Sequence, residues 1–443
     1  MTQDFLAEYD AAADSDKYPL VRQWMMNTPL PFFKQLREQR PILVTPECTL
    51  VALFTDVRDV LQMPRIFTVD LYKPKMGVTD NDPGYLMAHD DDALHYREKS
   101  LMQGFLNRDD IPRVRQLIAD TANKLLDAAN GNIEIVNQYC RLVPTTLVQD
   151  YFGLDGIDSK KLMKWSFWNQ YNTFHNQPFD LNSPEKFNTI VNSHAECSKE
   201  LTEYITVLMI RKVLYVKIID RMLNMVKTLV NFVRKVFRKP AIKYKDDIVK
   251  RMLRSAFADQ VEFPLTRVAV NAGGLLIGAV ETTSQAVAQV IEFFLKQPDL
   301  LTKAQTAAAK EDNTEFDAMV WEALRFVPIS PYMFRQTSQD YTIAKGSDHE
   351  TNVKKGTNVL TLTQSAMFDP YAYENPDEFR SDRNWYHHFN YGFASHDCLG
   401  KYIGMAMIPE MVRQVLLRPG IHATSAMNFK DGPFPEDYQL AWN

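Results

Sequence analysis

The chain has 443 residues, of which 45% are hydrophobic and 24% charged, and its 50 Lys and Arg against 55 Asp and Glu give a formal charge of −5. This is the composition of an ordinary globular protein, so a disordered or low-complexity chain is excluded. The acidic balance argues against general nucleic-acid binding, which needs a basic surface. Cys48, Cys140, Cys197 and Cys398 are widely spaced, which excludes a disulfide framework or a zinc ribbon and favours a reducing compartment.

The N-terminal segment 1–40 is rich in acids and lacks the basic-then-apolar order of a signal peptide. It also lacks the roughly 20 apolar residues of a membrane-spanning helix. We therefore expect a soluble, cytoplasmic protein. No internal repeat or Gly/Ser linker divides the chain, so residues 1–40 are expected to be an N-terminal extension and residues 41–443 a single domain.

Short apolar runs bounded by turn residues predict strands near the start of the domain, at Pro41–Val44 and Leu50–Phe54. From about residue 109 to residue 300 the apolar residues recur with helical periodicity. Extended segments return at Tyr341–Ile343 and Asn358–Leu362. The pattern predicts a mainly α fold with a small β portion.

A basic helix is predicted over residues 211–239, with nine Lys or Arg against one acid, Asp220. Five apolar residues fall on one stripe of this helix: Val213, Val216, Ile219, Leu223 and Val226. One interpretation is a helix with a core-facing stripe and a solvated basic face. The other is a surface that touches an anionic membrane, or a partner, at the mouth of a site.

A long, mostly apolar helix is predicted from Leu265 to Leu295, between Pro264 and Pro298. At 1.5 Å per residue it would span about 45 Å, the width of a domain. Its interior nevertheless holds residues that weaken a buried helix: Gly273, Gly274, Gly278, Glu281, Thr282 and Thr283. Each glycine costs about 1 kcal/mol and a buried acid costs more unless it is paired. This composition suggests a ligand pressed against the helix backbone.

The strongest chemical signal is Cys398, in a loop between Gly392 and Gly400 and followed by a helical pattern. A helix amino terminus lowers the pKa of a thiol and stabilises the thiolate, which suits an axial ligand of a haem iron. His396 is expected to point along the loop towards an acidic group. An isolated cysteine is more often a small buried hydrophobe, but the flanking glycines and His396 favour a ligand here.

The segment from Phe389 to Lys401 resembles the haem-binding loop of the cytochrome P450 family. Six positions carry the resemblance: Tyr391, Gly392, Ala394, His396, Cys398 and Gly400. Tyr391 stands where Phe is usual and Ala394 where Gly is usual, so an aromatic and a small residue are kept. The resemblance implies that Cys398 is the only protein ligand of the iron.

Two further motifs resemble those of the same family. Glu322 and Arg325 match its Glu-x-x-Arg helix, where an i, i+3 pair can form an ion pair. Arg383, at the end of a segment resembling Phe-x-Pro-x-Arg with Ser381 in place of Pro, would complete a buried structural network.

The resemblance also implies residues around the haem edge. Arg335 matches the arginine that holds a haem propionate. His95 matches the histidine of the helix beside the haem. Lys99 occupies the usual arginine position of that helix, so either Lys99 or Arg97 is expected to contact the propionate.

In the long central helix, the segment from Gly278 to Thr283 matches the family's oxygen-binding kink. The resemblance makes Glu281 and Thr282 the catalytic pair, with the carboxylate relaying protons from solvent to the hydroxyl. By family position the substrate pocket is lined by Tyr85, Met87, Leu275, Gly278, Ile329, Tyr332, Met333 and Phe434. Most of these are apolar or aromatic, as small-molecule sites usually are.

Together these motifs imply a single α-rich domain of the cytochrome P450 fold with haem b bound through Cys398. The implied reaction is a monooxygenation, in which one oxygen atom of O2 enters an apolar or aromatic substrate. Electrons would come from a separate ferredoxin and its reductase, or from a flavoprotein, because the chain has no flavin or iron–sulfur segment.

Three other interpretations stay open. The short interval from Arg383 to Cys398 and the ending Asp431–Tyr438 give a weaker likeness to the P450-type domains of fatty-acid haem dioxygenases. That likeness would imply a hydroperoxide isomerase or peroxygenase, which needs no electron donor. Oxidative coupling of phenols is a second alternative, and a haem sensor without turnover is a third.

Overall fold

The computed structural model describes residues 3–237, 246–258 and 261–443, apart from the side chains at 220, 221, 223–225 and 227. Helices dominate it: α1 Phe5–Ala11, α2 Asp14–Asn27, α3 Pro29–Gln39, α4 Phe54–Leu61, α5 Ala93–Phe105, α6 Ile111–Ala128, α7 Leu142–Leu147, α8 Ser159–His175, α9 Pro184–Leu214, α10 Asp220–Val236, α11 Ile248–Ala256, α12 Leu265–Ala279, α13 Glu281–Leu295, α14 Pro298–Ala308, α15 Thr314–Phe326, α16 Thr363–Ala366 and α17 Lys401–Leu416.

Within the described ranges the β portion consists of ten short strands: β1 Ile42–Val44, β2 Thr49–Val51, β3 Phe67–Thr68, β4 Asn132–Glu134, β5 Met333–Thr337, β6 Tyr341–Ile343, β7 Thr351–Val353, β8 Asn358–Thr361, β9 His422–Ala423 and β10 Gln439–Ala441. The main sheet has the order β1-β2-β8-β5-β3, and only the β2–β8 pair is parallel. Smaller sheets are β4-β10-β9 and the pair β6-β7.

The expected strands are found, with some of their boundaries corrected, since Pro41 lies outside β1 and Leu362 outside β8. The run Leu50–Phe54 is strand only to Val51, and Phe54 begins α4. The reason is that Asp369 accepts the backbone N–H of Phe54 through its carboxylate, which caps the start of this helix at 2.8 Å. The mainly α fold with a small β portion is confirmed.

The central helix is broken in the middle. It forms α12 and α13, which meet at Val280, where φ is −87° and ψ is −64°. The Thr282 hydroxyl donates to the carbonyl of Gly278 at 2.8 Å, so a side chain bonds a backbone group at the break. Both halves lie in the largest hydrophobic cluster, which α17, α6 and α15 also build.

The N-terminal helices pack onto the β portion. Phe32, Phe33 and Leu36 of α3 share one hydrophobic cluster with Leu50 of β2 and Leu360 of β8. Residues of α1 and α2 belong to the same cluster. The N-terminal segment therefore buries its apolar side chains against the sheet.

The predicted basic helix consists of the end of α9, a π-helical turn at Tyr215–Ile219, and α10. Its apolar stripe faces the core only at the beginning, where Val213 is half-buried and Val216 is buried. Ile219 and Val226 are exposed, so the core-facing prediction is wrong for them. The side chain of Leu223 and residues 238 and 239 lie outside the described residues.

The physical reason is that the chain continues as helix beyond the body on which α9 packs. Helix α9 packs along α8 and α12, whereas α10 follows from the π-helical turn. Within the described segments, no helix has both the length and the apolar character needed to cross a bilayer.

Candidate haem-binding site

The loop around Cys398 is folded by its own backbone. The carbonyl of Tyr391 accepts the backbone N–H of Cys398 at 2.6 Å, which closes the loop. Gly392 has φ +75°, and a Cβ there would lie 2.8 Å from the carbonyl oxygen of His396, so glycine is required. Gly400 precedes α17 directly. The sequence therefore places one thiol just ahead of a helix amino terminus.

Cys398 lies deep in the molecule, yet its side chain is accessible, whereas Cys48, Cys140 and Cys197 are buried. Burial raises the pKa of the Cys398 thiol above its ordinary value. A hydrogen bond from the Gly400 amide and the nearby charges of Lys99 and Lys401 act in the opposite direction but are outweighed. The lowered pKa expected from the helix terminus is therefore wrong, because desolvation of the thiolate is the larger effect.

Lys99 of α5 binds the cysteine loop from one side. Its Nζ donates to the carbonyls of Ser395 at 2.5 Å and Asp397 at 2.9 Å, and to the Asp397 carboxylate at 2.6 Å. His95, one turn earlier, lies with Nε2 2.9 Å from the Ser395 carbonyl and Nδ1 3.1 Å from that of Leu86. Helix α5 thus fixes the loop through two side chains.

Neither candidate for the propionate contact is free of protein partners. Lys99 binds the loop, and Arg97 forms an ion pair with Glu262 at 2.5 Å. Arg97 and Arg335 each have a buried Nε with no hydrogen-bond partner among the described residues. Arg335 is the more buried of the two, and its Nη1 donates to the Phe334 carbonyl at 2.8 Å. Burial lowers the pKa of this guanidinium, as expected for a buried cation short of an anion.

His396 meets the acidic group that the sequence could not identify. Its Nε2 lies 3.2 Å from the carboxylate of Asp90. Burial lowers the pKa of His396 to about 4, although Asp90 acts in the opposite direction. Two residues before His396, Ala394 has φ +55°, a left-handed conformation that residues other than glycine rarely adopt. Glycine is the residue that adopts this conformation without strain.

The Glu-x-x-Arg pair and Arg383 form one buried network. Glu322 accepts from Arg325 at 2.7 and 2.9 Å and from Arg383 at 2.9 Å. It also accepts the backbone N–H of Arg380 at 3.0 Å. Arg325 further donates to the carbonyls of Met367 and Glu378 at 3.1 Å each. The structure brings together the three predicted members.

The catalytic pair is arranged differently from the expectation. Glu281 is buried, and its carboxylate accepts from Nε of Arg141 at 2.9 and 3.1 Å. Arg141 also donates to Asn137 at 2.6 Å and to the Pro435 carbonyl at 3.2 Å. Burial raises the pKa of Glu281 in spite of this partner. The expectation that Glu281 reaches solvent is therefore wrong, because an ion pair closes that side.

Tyr85 explains one of the unusual glycines. A Cβ on Gly274 would lie 2.2 Å from a ring carbon of Tyr85, so only glycine allows the ring to lie on α12. Gly273 and Gly278 have no atom within 4 Å of such a Cβ. Burial raises the pKa of Tyr85, and the nearby Cys398 adds to this effect. Tyr85 thus lies against α12 and within electrostatic reach of Cys398.

The eight predicted pocket residues fall into four groups. Tyr85, Met87, Leu275 and Ile329 pack with the main cluster that contains the central helix, and Gly278 lies on α12 itself. The other three lie elsewhere: Tyr332 in the N-terminal cluster, Met333 in the cluster around β5, and Phe434 in a small cluster with Tyr171. The Tyr332 hydroxyl accepts from Arg22 at 2.9 Å.

These residues fit a haem on structural grounds. The accessible thiol of Cys398 is the donor type that binds iron, and the unpartnered Nε of Arg335 is a buried donor suited to a carboxylate. Sequence reasoning missed Arg141 and Asp90, partners from distant parts of the chain that no motif or spacing in the sequence marks. It also gave no role to Asp397, which lies within the loop motif and binds Lys99.

A model of the family described as Cytochrome P450 matches residues 98–418, which is more than half of the chain. The chain belongs to the cytochrome P450 family. Its fold is the P450 fold, its family cofactor is haem, and it is a P450-type monooxygenase oxidoreductase.

Known P450s match this P450 over most of its length. Pulcherriminic acid synthase of Bacillus subtilis (strain 168) is 22% identical, covering 90% of this chain and 90% of its own. The steroid C26-monooxygenase of Mycolicibacterium smegmatis is also 22% identical, covering 79% of this chain and 76% of its own. The crystal structure of CalO2 matches 95% of this chain and 97% of its own with a TM-score of 0.72 at 18% identity. This structural likeness establishes the fold alone.

Proposed function

We propose that this P450 binds haem b through Cys398 and inserts one oxygen atom of O2 into an apolar or aromatic small molecule. A separate ferredoxin with its reductase, or a flavoprotein, supplies the electrons, and the protein works in the cytoplasm. The observation that carries the proposal is the accessible Cys398 thiol just ahead of a helix amino terminus, close enough to Tyr85 on the central helix to raise the pKa of its hydroxyl. We propose residues 41–443 as the haem domain and residues 1–40 as an extension packed on it.

The proposed roles follow from the contacts. Cys398 would hold the haem iron, and the Gly400 amide together with Lys99 stabilises negative charge on its sulfur. Arg335 would hold a haem propionate through its unpartnered Nε, and His95 holds the cysteine loop. When bound, haem supplies the activation of O2 that no amino-acid side chain provides. Tyr85, Met87, Leu275 and Ile329 form the apolar wall on which the substrate lies.

Proton delivery is assigned to Thr282 and Glu281 in two stages. The Thr282 hydroxyl now donates to Gly278, and it can rotate to hold its proton towards the reacting oxygen. Glu281 has a raised pKa, which favours the protonated form that can resupply Thr282. This transfer requires the Glu281 carboxyl group to separate from Arg141. The proton relay therefore works only while the Glu281–Arg141 ion pair is broken.

Replacing Thr282 tests the reaction. With a substrate selected by its shift of the haem absorption band, Thr282→Ala should bind haem and consume reductant at a rate within about threefold of wild type. Most of the electrons should then appear as hydrogen peroxide, because one proton donor is lost and general acid–base catalysis contributes about 10²–10⁴-fold. Thr282→Ser keeps the hydroxyl and is the matched control, with coupling near that of wild type. Full coupling in Thr282→Ala would contradict the monooxygenase assignment.

The structure gives one reason to keep a hydroperoxide isomerase or peroxygenase as the second candidate. Both Glu281 and Thr282 are engaged by protein partners, and a substrate that already contains an O–O bond needs less proton delivery from them. The measurement is conversion of a lipid hydroperoxide by the wild-type protein without reductant. Rapid conversion would replace the monooxygenase proposal with this one. Slow conversion that Thr282→Ala does not change would support the monooxygenase.

A further inference from the structure

More than half of the large exposed hydrophobic side chains are concentrated in one helical arm, which we define as residues 207–237. Of the 22 such side chains among the described residues, twelve lie in the arm. They are Val207, Ile210, Leu214, Ile218, Ile219, Met222, Val226, Leu229, Phe232, Val233, Val236 and Phe237, and each is between 45% and 69% exposed. Soluble proteins rarely leave such a contiguous patch uncovered unless it binds something.

The spacing makes one continuous face. Successive members are mostly three or four residues apart, so they follow one side of a helix that spans roughly 45 Å. Within α10, Met222, Val226, Leu229, Val233 and Val236 lie within about 40° of a common direction at 100° per residue. The arm is thus amphipathic, with its apolar side turned outwards from the protein.

The base of the arm is fixed to the body. The ammonium group of Lys212 is buried and forms ion pairs with Asp155 at 2.8 Å and Asp247 at 2.9 Å. Arg211 forms a further ion pair with Asp155. Lys217 lies over the ring of Phe257, 4.7 Å from its centroid. The direction of the arm is therefore set by charges that are partly or fully withdrawn from solvent.

The charge of the arm indicates what binds to its apolar face. Residues 211–239 carry nine Lys or Arg and one acid, in a chain whose formal charge is −5. On the helical projection the described cations of α10, Arg234 and Lys235, lie at the side and back of its apolar face. A helix with an apolar face and flanking cations fits the boundary between headgroups and acyl chains of an anionic membrane. A second copy of this chain would instead bring the same positive charge against itself.

We infer that the arm docks this P450 on an anionic lipid surface, with α10 lying in the plane of the interface and its apolar row inserted between the headgroups. The inference goes beyond the proposed function, because the arm contributes no residue to the haem site. Insertion of the apolar row differs from purely electrostatic attraction of the arm to the membrane. Because the apolar side chains contribute to binding, part of the binding should persist when salt screens the charges.

Vesicle flotation with the full-length holoprotein tests the inference. Vesicles of phosphatidylcholine mixed with a minority of phosphatidylserine should bind the protein at low salt, and pure phosphatidylcholine vesicles should bind at least tenfold less. At high salt the binding to the anionic vesicles should fall severalfold without vanishing. The double variant Leu229→Glu/Phe232→Glu should bind at least tenfold less at both salt concentrations. Its haem–CO spectrum should be unchanged, which shows that the domain is folded.

The matched control is Met26→Glu/Tyr371→Glu, which charges two side chains outside the arm that are each 73% exposed. It should bind vesicles as the wild type does. Unchanged vesicle binding by Leu229→Glu/Phe232→Glu would overturn the inference, as would absence of binding by the wild type. A dimer in sedimentation velocity that this double variant abolishes, without vesicle binding by the wild type, would assign the face to a second copy instead.

Discussion

Two buried carboxylates in this protein are equally withdrawn from solvent but differently held. Glu322 accepts from the side chains of Arg325 and Arg383 and from one backbone amide. Glu281 accepts from a single side chain, Arg141. Each carboxylate residue is about 1% exposed. We call the first set the triad (Glu322, Arg325 and Arg383) and the second the kink pair (Glu281 and Arg141).

This difference suggests different roles for the two carboxylates: Glu322 belongs to a structural scaffold, and Glu281 can change its protonation state. Two guanidinium groups and an amide surround the Glu322 carboxylate, so its charge is fully compensated and the triad acts as a fixed joint. One guanidinium faces Glu281, and burial raises the pKa of this carboxyl group. A buried acid with a raised pKa lies closer to its protonated form and is suited to proton transfer.

The largest expected effect concerns the loop that carries Cys398. Cys398→Ala should abolish the red-shifted band of the reduced carbon monoxide complex, because no other accessible cysteine exists among the described residues. Single Ala variants at Cys48, Cys140 and Cys197 should keep the band. A normal band in Cys398→Ala would show that another residue provides the sulfur ligand.

The next test breaks the triad. Arg325→Ala leaves Glu322 with an uncompensated buried charge, which costs roughly 3–5 kcal/mol, so little soluble, haem-loaded protein should be recovered. The control is Arg380→Ala, which removes ion pairs on the surface close to the triad and should give normal yield. A stable Arg325→Ala protein altered only in substrate preference would refute the structural role.

Removing the arginine of the kink pair should destabilise the protein less than removing Arg325 from the triad, above all at low pH. In Arg141→Ala, Glu281 can be neutralised by protonation, so folded protein should be obtained and the loss should be smaller than for Arg325→Ala. The raised pKa of Glu281 means that the folded protein binds this proton more tightly than the unfolded chain. The free energy of unfolding should therefore fall as the pH rises above the ordinary carboxyl value of about 4.5.

Urea unfolding between pH 4.5 and 7.5 measures this slope, and Glu281→Gln is the control that removes it. The raised pKa of Glu281 would be contradicted if the free energy of unfolding of Arg141→Ala increased with pH when compared with that of Glu281→Gln. Equal loss in Arg141→Ala and Arg325→Ala at every pH would remove the distinction between the kink pair and the triad.

The smallest effect compares two adjacent glycines of α12. Gly273→Ala meets no atom within 4 Å and should stabilise the helix by about 0.5–1 kcal/mol. Gly274→Ala places a methyl group 2.2 Å from the Tyr85 ring and should displace it, with net destabilisation and weaker substrate binding. Adding Tyr85→Ala should remove the stability penalty of Gly274→Ala. Equal effects at the two glycines would rule out the contact with Tyr85.

The sequence predicted those parts of the protein whose partners lie within motifs. The triad could be anticipated because Glu322 and Arg325 are one helical turn apart and Arg383 belongs to a recognisable segment. The strands β1 and β2 were found because turn residues bound their short apolar runs. The break between α12 and α13 coincides with the Gly278–Thr283 motif that predicted it.

The remaining features depend on contacts over long distances in sequence. Arg141 is 140 residues from Glu281, and Asp90 is 306 residues from His396, so no local pattern marks either partner. The exposed face of α10 was mispredicted because helical periodicity gives the position of a stripe but not what covers it. The pKa of Cys398 was misjudged because sequence shows a helix terminus and not the depth of burial.

Ala394 has a consequence for the order in which the molecule assembles. A left-handed alanine costs roughly 1 kcal/mol relative to the usual backbone, so the loop does not adopt its native shape on its own. The shape is imposed by Lys99 and His95, which bind the Ser395 carbonyl next to it. We therefore expect the loop to take its native shape together with α5 and not before it, because the contacts that offset the strain come from a segment 296 residues earlier in the chain.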